Sequence, residues 1–425
     1  MPIRKLVHVS YSYGVSNGIA HIDECFLQAM WGDKITFVPF IIHPEYTKGR
    51  EEESAYGLKH ISLLDAFDRL YRESLDADVL QFNGAYDPVA CNAAAQAGVP
   101  ALIEIMHQVE EGGLSPSVDR VVCVSDRVRQ VQTVPHTQVI YNGIDCTKFS
   151  YKEGRRSSDR IVCLQVSNSA KDLHCELGEV AALLNVPDFE AYSIGGRSPC
   201  GNITDRGVCT NMPEVFHEAD LLFLLEKKAA FGLVFAEAMA CGTLPIVSSS
   251  AGASAFVEHG KNGWVVDYHT IDDATAVLKE AIACIRTPQL KTMQRNARET
   301  VLKTFTQEAM IAAYRSLWEQ LGSRSRKKPI LSPAWMHYST ASLLFFHKNP
   351  TYVDVLANII AEDRVIEPYF LQHPQGQCTI QFFLEGILPA LIASGMKACA
   401  KRLCAIFHKS RIYSPLLTRL DTALE

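Results

Sequence analysis

The residues best placed to do chemistry lie between Ala219 and Asp267. An apolar strand, Asp220–Leu225, runs into the loop Glu226–Phe231 and then into Gly232-Leu-Val-Phe-Ala-Glu237-Ala-Met-Ala-Cys-Gly242. A further strand, Leu244–Val247, and a Ser/Gly loop follow. A glycine where a helix begins lets backbone come close to a ligand, and the free N–H groups and dipole at that point suit a diphosphate. Glu237 falls further along the same helix, where a carboxylate can accept hydrogen bonds from a ribose diol. Gly242 is set to end the helix as a left-handed cap. The same letters also describe an ordinary strand–turn–helix junction with Glu237 merely solvated. The segment alone leaves both readings open.

Such a junction needs a sheet to hold it. The first half of the chain alternates short apolar runs with segments of helical period. Leu6–Ser10, Ile35–Ile42, Val79–Phe82, Ala101–Ile105, Arg120–Val124 and Gln138–Tyr141 read as strands, with Ile19–Met30 and Pro88–Ala97 among the helices between them. This alternation predicts a parallel sheet with helices on both faces. The pattern then starts again. Arg160–Gln165, Phe189–Ile194, Leu221–Leu225, Pro245–Ser248 and Trp264–Val266 read as strands of a second sheet. Glu176–Leu184, Met212–Glu218, Leu233–Cys241 and Ile271–Ile285 read as its helices. The seam falls near Asn142–Arg156, a polar segment. Thr306–Leu321 is an amphipathic helix with Thr306 as N-cap and Glu308 in its first turn. Beyond Gly322 and the basic linker Ser323–Lys328 the chain changes character, with prolines at 350, 368, 374 and 389 punctuating helical segments.

Composition bounds the class. The chain has 425 residues, 48% hydrophobic and 21% charged, which predicts a globular protein of more than one domain. A formal net charge of −6 speaks against a sequence-independent grip on nucleic acid. The 13 cysteines form no CxxC pair and no Cys/His cluster suited to zinc. Several, such as Cys123 and Cys163, sit in apolar runs as small buried hydrophobes. A reducing cytoplasm is the simplest compartment. The N-terminus enters a strand pattern directly, so no secretory signal is expected. The uncharged stretches Ala238–Val257 and Pro329–His347 are broken by Pro, Gly, Ser or His, which argues against a membrane span.

The run Phe231-Gly-Leu-Val-Phe-Ala-Glu-Ala-Met-Ala-Cys-Gly-Thr-Leu-Pro-Ile-Val resembles the C-domain signature of the family-four glycosyltransferases, retaining enzymes of the GT-B fold. Val139–Phe149 is similar to that family's interdomain Pro-Asn-Gly-Val-Asp segment, and Val257–Asp267 to its Gly-x-x-Gly-Leu-Leu-Val strand entry. The resemblance covers residues 1–321. It implies an α/β chain of two facing Rossmann-like domains, residues 1–150 for the acceptor and 151–305 for the donor. A crossover helix over 306–322 and a helical extension over 323–425 would complete it.

The resemblance also assigns roles. Gly18, in the loop Tyr13–Ala20 after the first strand, lies at the family's close approach to the donor phosphate, where Lys171, Phe231, Gly232 and Leu233 would join it. Glu237 would hold the ribose, and His107, which follows the strand Ala101–Ile105, would position the reacting sugar. Imidazole suits that task because it can donate or accept near neutral pH. Glu110 and Glu111 lie just beyond and could orient an acceptor hydroxyl or simply be solvated. Two departures stand out. The first glutamate of the family's pair is Ala229 here, and Asn168 falls at or beside the diphosphate-binding arginine. An amide offers a hydrogen bond without charge, so the leaving group would lose a charge-assisted contact. Arg197, in Gly195-Gly-Arg, is either a replacement cation or a surface residue. Lys227 and Lys228 read as solvated loop lysines, and Glu226 could replace the missing acid only in a rearranged loop.

The expected activity is transfer from a UDP- or GDP-linked sugar to a glycan, lipid-linked or other small acceptor, with retention and no bound metal or further cofactor. The alternative is a non-catalytic nucleotide-binding relative acting as partner of an active enzyme. In the extension, Ala390–Phe407 is expected as one helix with Leu391, Met396, Cys399, Leu403 and Phe407 along one side. Such a face docks on protein, joins two copies, or lies on a membrane, the last making the protein peripheral at an inner membrane face.

Overall fold

A computed structural model gives the structure. It describes residues 2–10, 18–43, 51–53, 57–84, 87–110, 112, 115, 117–152, 160–166, 176–184, 186–195, 203–226, 229–330, 384–385, 388–393, 395–409 and 414–424.

The chain forms two compact units. The first comprises Met1–Cys123, Val131–Gln138 and Tyr314–Glu425; the second comprises Val124–Gln130 and Val139–Ala313. Val139–Phe149 thus counts with the second unit. Asn142–Phe149 belongs to the second unit because its backbone is bonded there: Ile144 N–H donates to Phe305 O and Gln307 N–H to Ile144 O. A Cβ on Gly143 would lie 2.6 Å from the Gln307 Cα, so only glycine permits this approach.

The first unit is built on β1 (Lys5–Ser10), α1 (Gly18–Met30), β2 (Thr36–His43), β3 (Glu51–Glu53), β4 (Lys59–Ser62), α2 (Leu63–Ser74), β5 (Val79–Asn83), α3 (Pro88–Ala97), β6 (Ala101–Met106), β7 (Arg120–Cys123) and β8 (Thr137–Val139). Its sheet runs β3-β4-β2-β1-β5-β6-β7-β8. The pairings of β1, β2, β4, β5, β6 and β7 are parallel, and β3 is antiparallel to β4. Strands β5 and β6 are buried along their whole length, as parallel strands covered on both faces must be. Helix α3 shows the local logic well. Asp87 caps it by accepting from Val89 N and Ala90 N, Pro88 takes the first turn, and Gly98 closes it at φ 65°.

The short helix α4 (Asp126–Gln130) opens the second unit, followed by β9 (Ile161–Val166), α5 (Glu176–Leu183), β10 (Phe189–Ile194), β11 (Thr204–Asp205), α6 (Met212–Glu218), β12 (Leu221–Leu224), α7 (Leu233–Cys241), β13 (Leu244–Ser248), β14 (Trp264–Val266), α8 (Ile271–Ile285), α9 (Gln289–Thr304) and α10 (Gln307–Gly322). Its sheet is parallel, in the order β11-β10-β9-β12-β13-β14. In both sheets the strand order reverses once, at β1/β5 and at β9/β12. The crevice outside the carboxyl ends at such a reversal is where open α/β sheets bind ligands. The chain leaves those ends at Ser10 and Asn83 in one unit, and at Val166 and Leu224 in the other.

Residues from Tyr314 onward return to the first unit. Tyr314 and Trp318 pack on Phe26, with ring centroids 4.9 and 5.9 Å away. Arg326 donates to the carbonyls of Ser74, Ala77 and Ala97 and pins the following strap. The extension differs from the single helix expected over Ala390–Phe407. Gly395, at φ 78°, breaks it into α11 (Leu388–Ala393) and α12 (Lys397–Lys409), and α13 (Pro415–Leu424) packs against both. Gly395 N–H donates to Ile392 O and Met396 N–H to Leu391 O, a glycine stop of the Schellman type. Leu391, Leu403 and Phe407 are buried together with Leu417, Leu420 and Leu424. Among the described residues no helix is long and apolar enough to cross a membrane.

Candidate functional site

In the second unit, Gly232 starts α7 in the left-handed region, φ 90° and ψ 61°. A Cβ there would lie 2.7 Å from the Phe235 ring, so the position is closed to other residues on two counts. Phe235 and Ala236 return their N–H groups to Gly232 O, whereas those of Leu233 and Val234 take no partner among the described residues. Gly242 ends the helix at φ 84° with the expected cap bonds.

The loop before α7 is fastened from outside. Gly252 N–H donates to Ala229 O at 2.8 Å, and the Ser125 hydroxyl donates to Ala230 O. A Cβ on Gly252 would stand 2.1 Å from Ala230 O. The ring of Phe231 faces the core. It is buried against Tyr141, Phe256 and Phe305, with centroids 5.4–6.2 Å away. Its place in the signature is that of an anchor which sets where Gly232 begins the helix. Ala229, at the position of the missing glutamate, is 8% exposed.

Glu237 is half-buried on α7 and takes no hydrogen bond among the described residues. Loss of solvent pushes its carboxyl up to about 7, with Lys148 pulling the other way. Near neutral pH it can therefore both donate to and accept from a hydroxyl. Arg298 on α9 was not singled out by sequence, since one arginine in a polar helix looks solvated. It donates to Phe149 O, Ala240 O and Cys146 O at 2.6–3.0 Å, tying the end of α7 to the Asn142–Phe149 segment. Lys171, Asn168, Arg197, Lys227 and Lys228 lie outside the described residues.

The first unit carries its own polar cluster at the β1/β5 reversal. Gly18 opens α1 and is exposed, while residues 11–17 before it lie outside the described residues. His107, just past β6, sits 3.1 Å by its Nε2 from Asn83 Oδ1. Asn83 Nδ2 reaches Asp23 Oδ1 at 2.7 Å, and His8 Nε2 reaches the same oxygen at 2.8 Å. Gln81 Nε2 then meets His8 Nδ1 at 3.0 Å, and Trp318 Nε1 donates to Gln81 Oε1 at 2.7 Å. His8, Asp23, Gln81, Asn83 and Trp318 are all buried. Burial lowers the His107 pKa to about 4, opposed by the charge of Asp23 and assisted by His8. Its neutral ring is thus the form present at pH 7. Glu110 lends its carbonyl to Gln132, and Glu111 is outside the described residues.

His8 and Asp23 were not anticipated, and one signal for them existed. Asp23 interrupts the apolar face made by Ile22, Cys25, Phe26 and Leu27 on α1, where a charge is costly unless it has work to do.

Comparison with known proteins bears on both halves. Residues 207–300 match the family model described as glycosyl transferases group 1. N-acetyl-alpha-D-glucosaminyl L-malate synthase of Bacillus anthracis is 27% identical over 208 residues, covering 45% of this chain and 54% of that protein. D-inositol 3-phosphate glycosyltransferase of Mycobacterium ulcerans (strain Agy99) is 31% identical over 282 residues, covering 57% and 60%. The matches thus span little more than half the length of these two relatives. Among solved structures, a glycosyltransferase from Rickettsia africae ESF-5 aligns with a TM-score of 0.61 at 16% identity, over 76% of this chain and 100% of the other. Anabaena HepE in complex with UDP aligns at 0.60 and 16% identity, over 75% and 100%. The architecture is thus the GT-B fold of two Rossmann-like α/β domains. On that fold, the segment from Gly207 to Thr300 that holds the Gly232 turn, α7 and Glu237 is similar to the group 1 glycosyl transferases.

Proposed function

We propose that the protein transfers a glycosyl unit from a UDP- or GDP-linked sugar to a glycan, lipid-linked or other small acceptor, with retained anomeric configuration and without a protein-bound metal. One observation carries the reading: a left-handed glycine opens α7 with two N–H groups that take no partner among the described residues, and the Glu237 carboxyl, likewise unpartnered among them, stands further along the same helix. N–H groups at a helix start suit the diphosphate. On this reading Gly232 and Leu233 hold it, joined by Gly18 and Lys171 and, at the arginine position, by Asn168 or Arg197. Glu237 accepts the ribose hydroxyls, and His107 positions the sugar. The departing diphosphate, stabilised by backbone N–H groups and cations, takes the proton of the attacking hydroxyl. The UDP bound to HepE supports a nucleotide at the homologous fold.

The test is release of free nucleoside diphosphate from a panel of UDP- and GDP-sugars with candidate acceptors. Wild type should turn over at least one pair, and Glu237→Ala should weaken donor binding sharply. Unchanged binding and turnover in that variant would refute the assignment. The buried alanine at 229 favours a second reading, a nucleotide-binding relative without activity of its own. Nucleotide binding without release on any donor selects it.

A further inference from the structure

Six polar side chains of the first unit form a hydrogen-bonded chain whose direction is fixed from within. The indole N–H of Trp318 can only donate, so Gln81 Oε1 is the acceptor and Gln81 Nε2 faces His8. His8 Nδ1 is therefore an acceptor, and its Nε2–H donates to Asp23 Oδ1. A carboxylate only accepts, so the end of Asn83 lying 2.7 Å from that same oxygen must be its NH₂. Asn83 then offers its carbonyl to His107, and the ring nitrogen at 3.1 Å, Nε2, must carry a hydrogen. A neutral imidazole has one N–H. His107 Nδ1 is left with a lone pair and takes no partner among the described residues.

We propose that Asp23 is a positioning residue: acting through Asn83, it fixes His107 in the Nε2–H tautomer, so that His107 meets a sugar hydroxyl as a hydrogen-bond acceptor at Nδ1. The tautomer follows from the geometry alone; the hydroxyl as its partner rests on the transferase reading above. The oxygen that Asp23 presents can only accept, and it takes both the His8 N–H and the Asn83 NH₂. Were Asn83 to turn over, its carbonyl would face the carboxylate, two acceptors in contact. With leucine at 23 that acceptor is gone, so the Asn83 amide is free to reverse and His107 to become a donor at Nδ1. The acid is also kept at a cost, since Asp23 Oδ2 is buried without a hydrogen bond among the described residues. A carboxylate retained under that penalty fits a task in which its acceptor-only character matters.

The experiment is side-chain ¹H–¹⁵N spectroscopy of the ligand-free full chain with ¹⁵N-labelled histidine near pH 7, His107 being assigned by the signal lost in His107→Gln. Wild type should show a protonated Nε2 and an unprotonated Nδ1. Asp23→Leu should show both tautomers or the reversed one. It should also lower kcat at least about tenfold, the size of one misdirected hydrogen bond. A wild-type His107 protonated at Nδ1 overturns the proposal, as does an Asp23→Leu protein with the pure wild-type pattern. If that variant does not fold, the wild-type spectrum still decides. The predicted pattern in a protein that turns over no sugar nucleotide upholds the role of Asp23 and sinks the transferase reading.

Discussion

Glu237 should make the ligand-free protein less stable at neutral and alkaline pH, and Glu237→Gln should reverse this. The carboxyl ionises near 4.5 in an unfolded chain but at about 7 in the folded one, because α7 holds it out of water. Below pH 4.5 it is protonated in both states and costs nothing. Between 4.5 and 7 the unfolded chain ionises first, so stability falls across that window and the loss is complete above it. At about 1.4 kcal/mol for each pH unit between the two values, the upper figure is about 3.5 kcal/mol. The side chain keeps part of its surface in water, which leaves about half of that. Glutamine stays neutral throughout. The variant should therefore melt roughly 4 °C above wild type at pH 8 and within about 1 °C of it at pH 4.5. Thermal unfolding without nucleotide at both pH values checks this. Equal midpoints at pH 8, or the same gain at both, would show that burial does not hold the carboxyl as argued. The acid is then a stability cost carried for a ligand, a common bargain at binding sites.

Three further outcomes follow from the geometry. Gly232→Ala forces a side chain into a left-handed position and against Phe235, so it should cost about 1–3 kcal/mol and weaken nucleotide binding, read by calorimetry on the purified variant. Arg298→Ala removes donors from three carbonyls at once and should destabilise by about 3 kcal/mol in denaturant titrations, whereas Glu299→Ala next to it should be nearly silent. Trp318→Phe leaves Gln81 Oε1 without its donor in a buried place; a loss of about 1–3 kcal/mol together with slow exchange between two His8 tautomers is expected in ¹⁵N spectra.

Long buried strands were legible because a parallel strand covered on both faces must be apolar throughout. Val79–Asn83 and Ala101–Met106, buried throughout, each end within one residue of the expected limits, and the helices Pro88–Ala97 and Leu233–Cys241, which carry Pro or Gly at their ends, match theirs. The short strands at or next to the sheet edges escaped. Glu51–Glu53, Lys59–Ser62 and Thr204–Asp205 are held by backbone bonds with few apolar side chains to advertise them. Helix α9 escaped too, since it buries only a narrow stripe of Met293, Ala297 and Val301 and has no side-chain cap. In the site, the glycine–helix–glutamate run was visible because all of it is local. The His8–Asp23–Asn83–His107 chain was not, because its members come from β1, α1, β5 and the end of β6 and meet only after the sheet forms. For Phe231, inside the signature, the burial of its ring was not legible, because its partners Tyr141, Phe256 and Phe305 are distant in sequence.

The first unit draws on both ends of the described chain, and this sets a timetable for synthesis. Strands β1–β7 leave the ribosome early, but Trp318, which is fully buried beside Gln81 and Phe26, follows almost two hundred residues after β7. At roughly 5–20 residues per second the nascent sheet waits about 10–40 s with the hole meant for that indole open to water. The second unit, finished first, would emerge as an already folded insert, and the N-terminal sheet would be the part that nascent-chain chaperones hold longest.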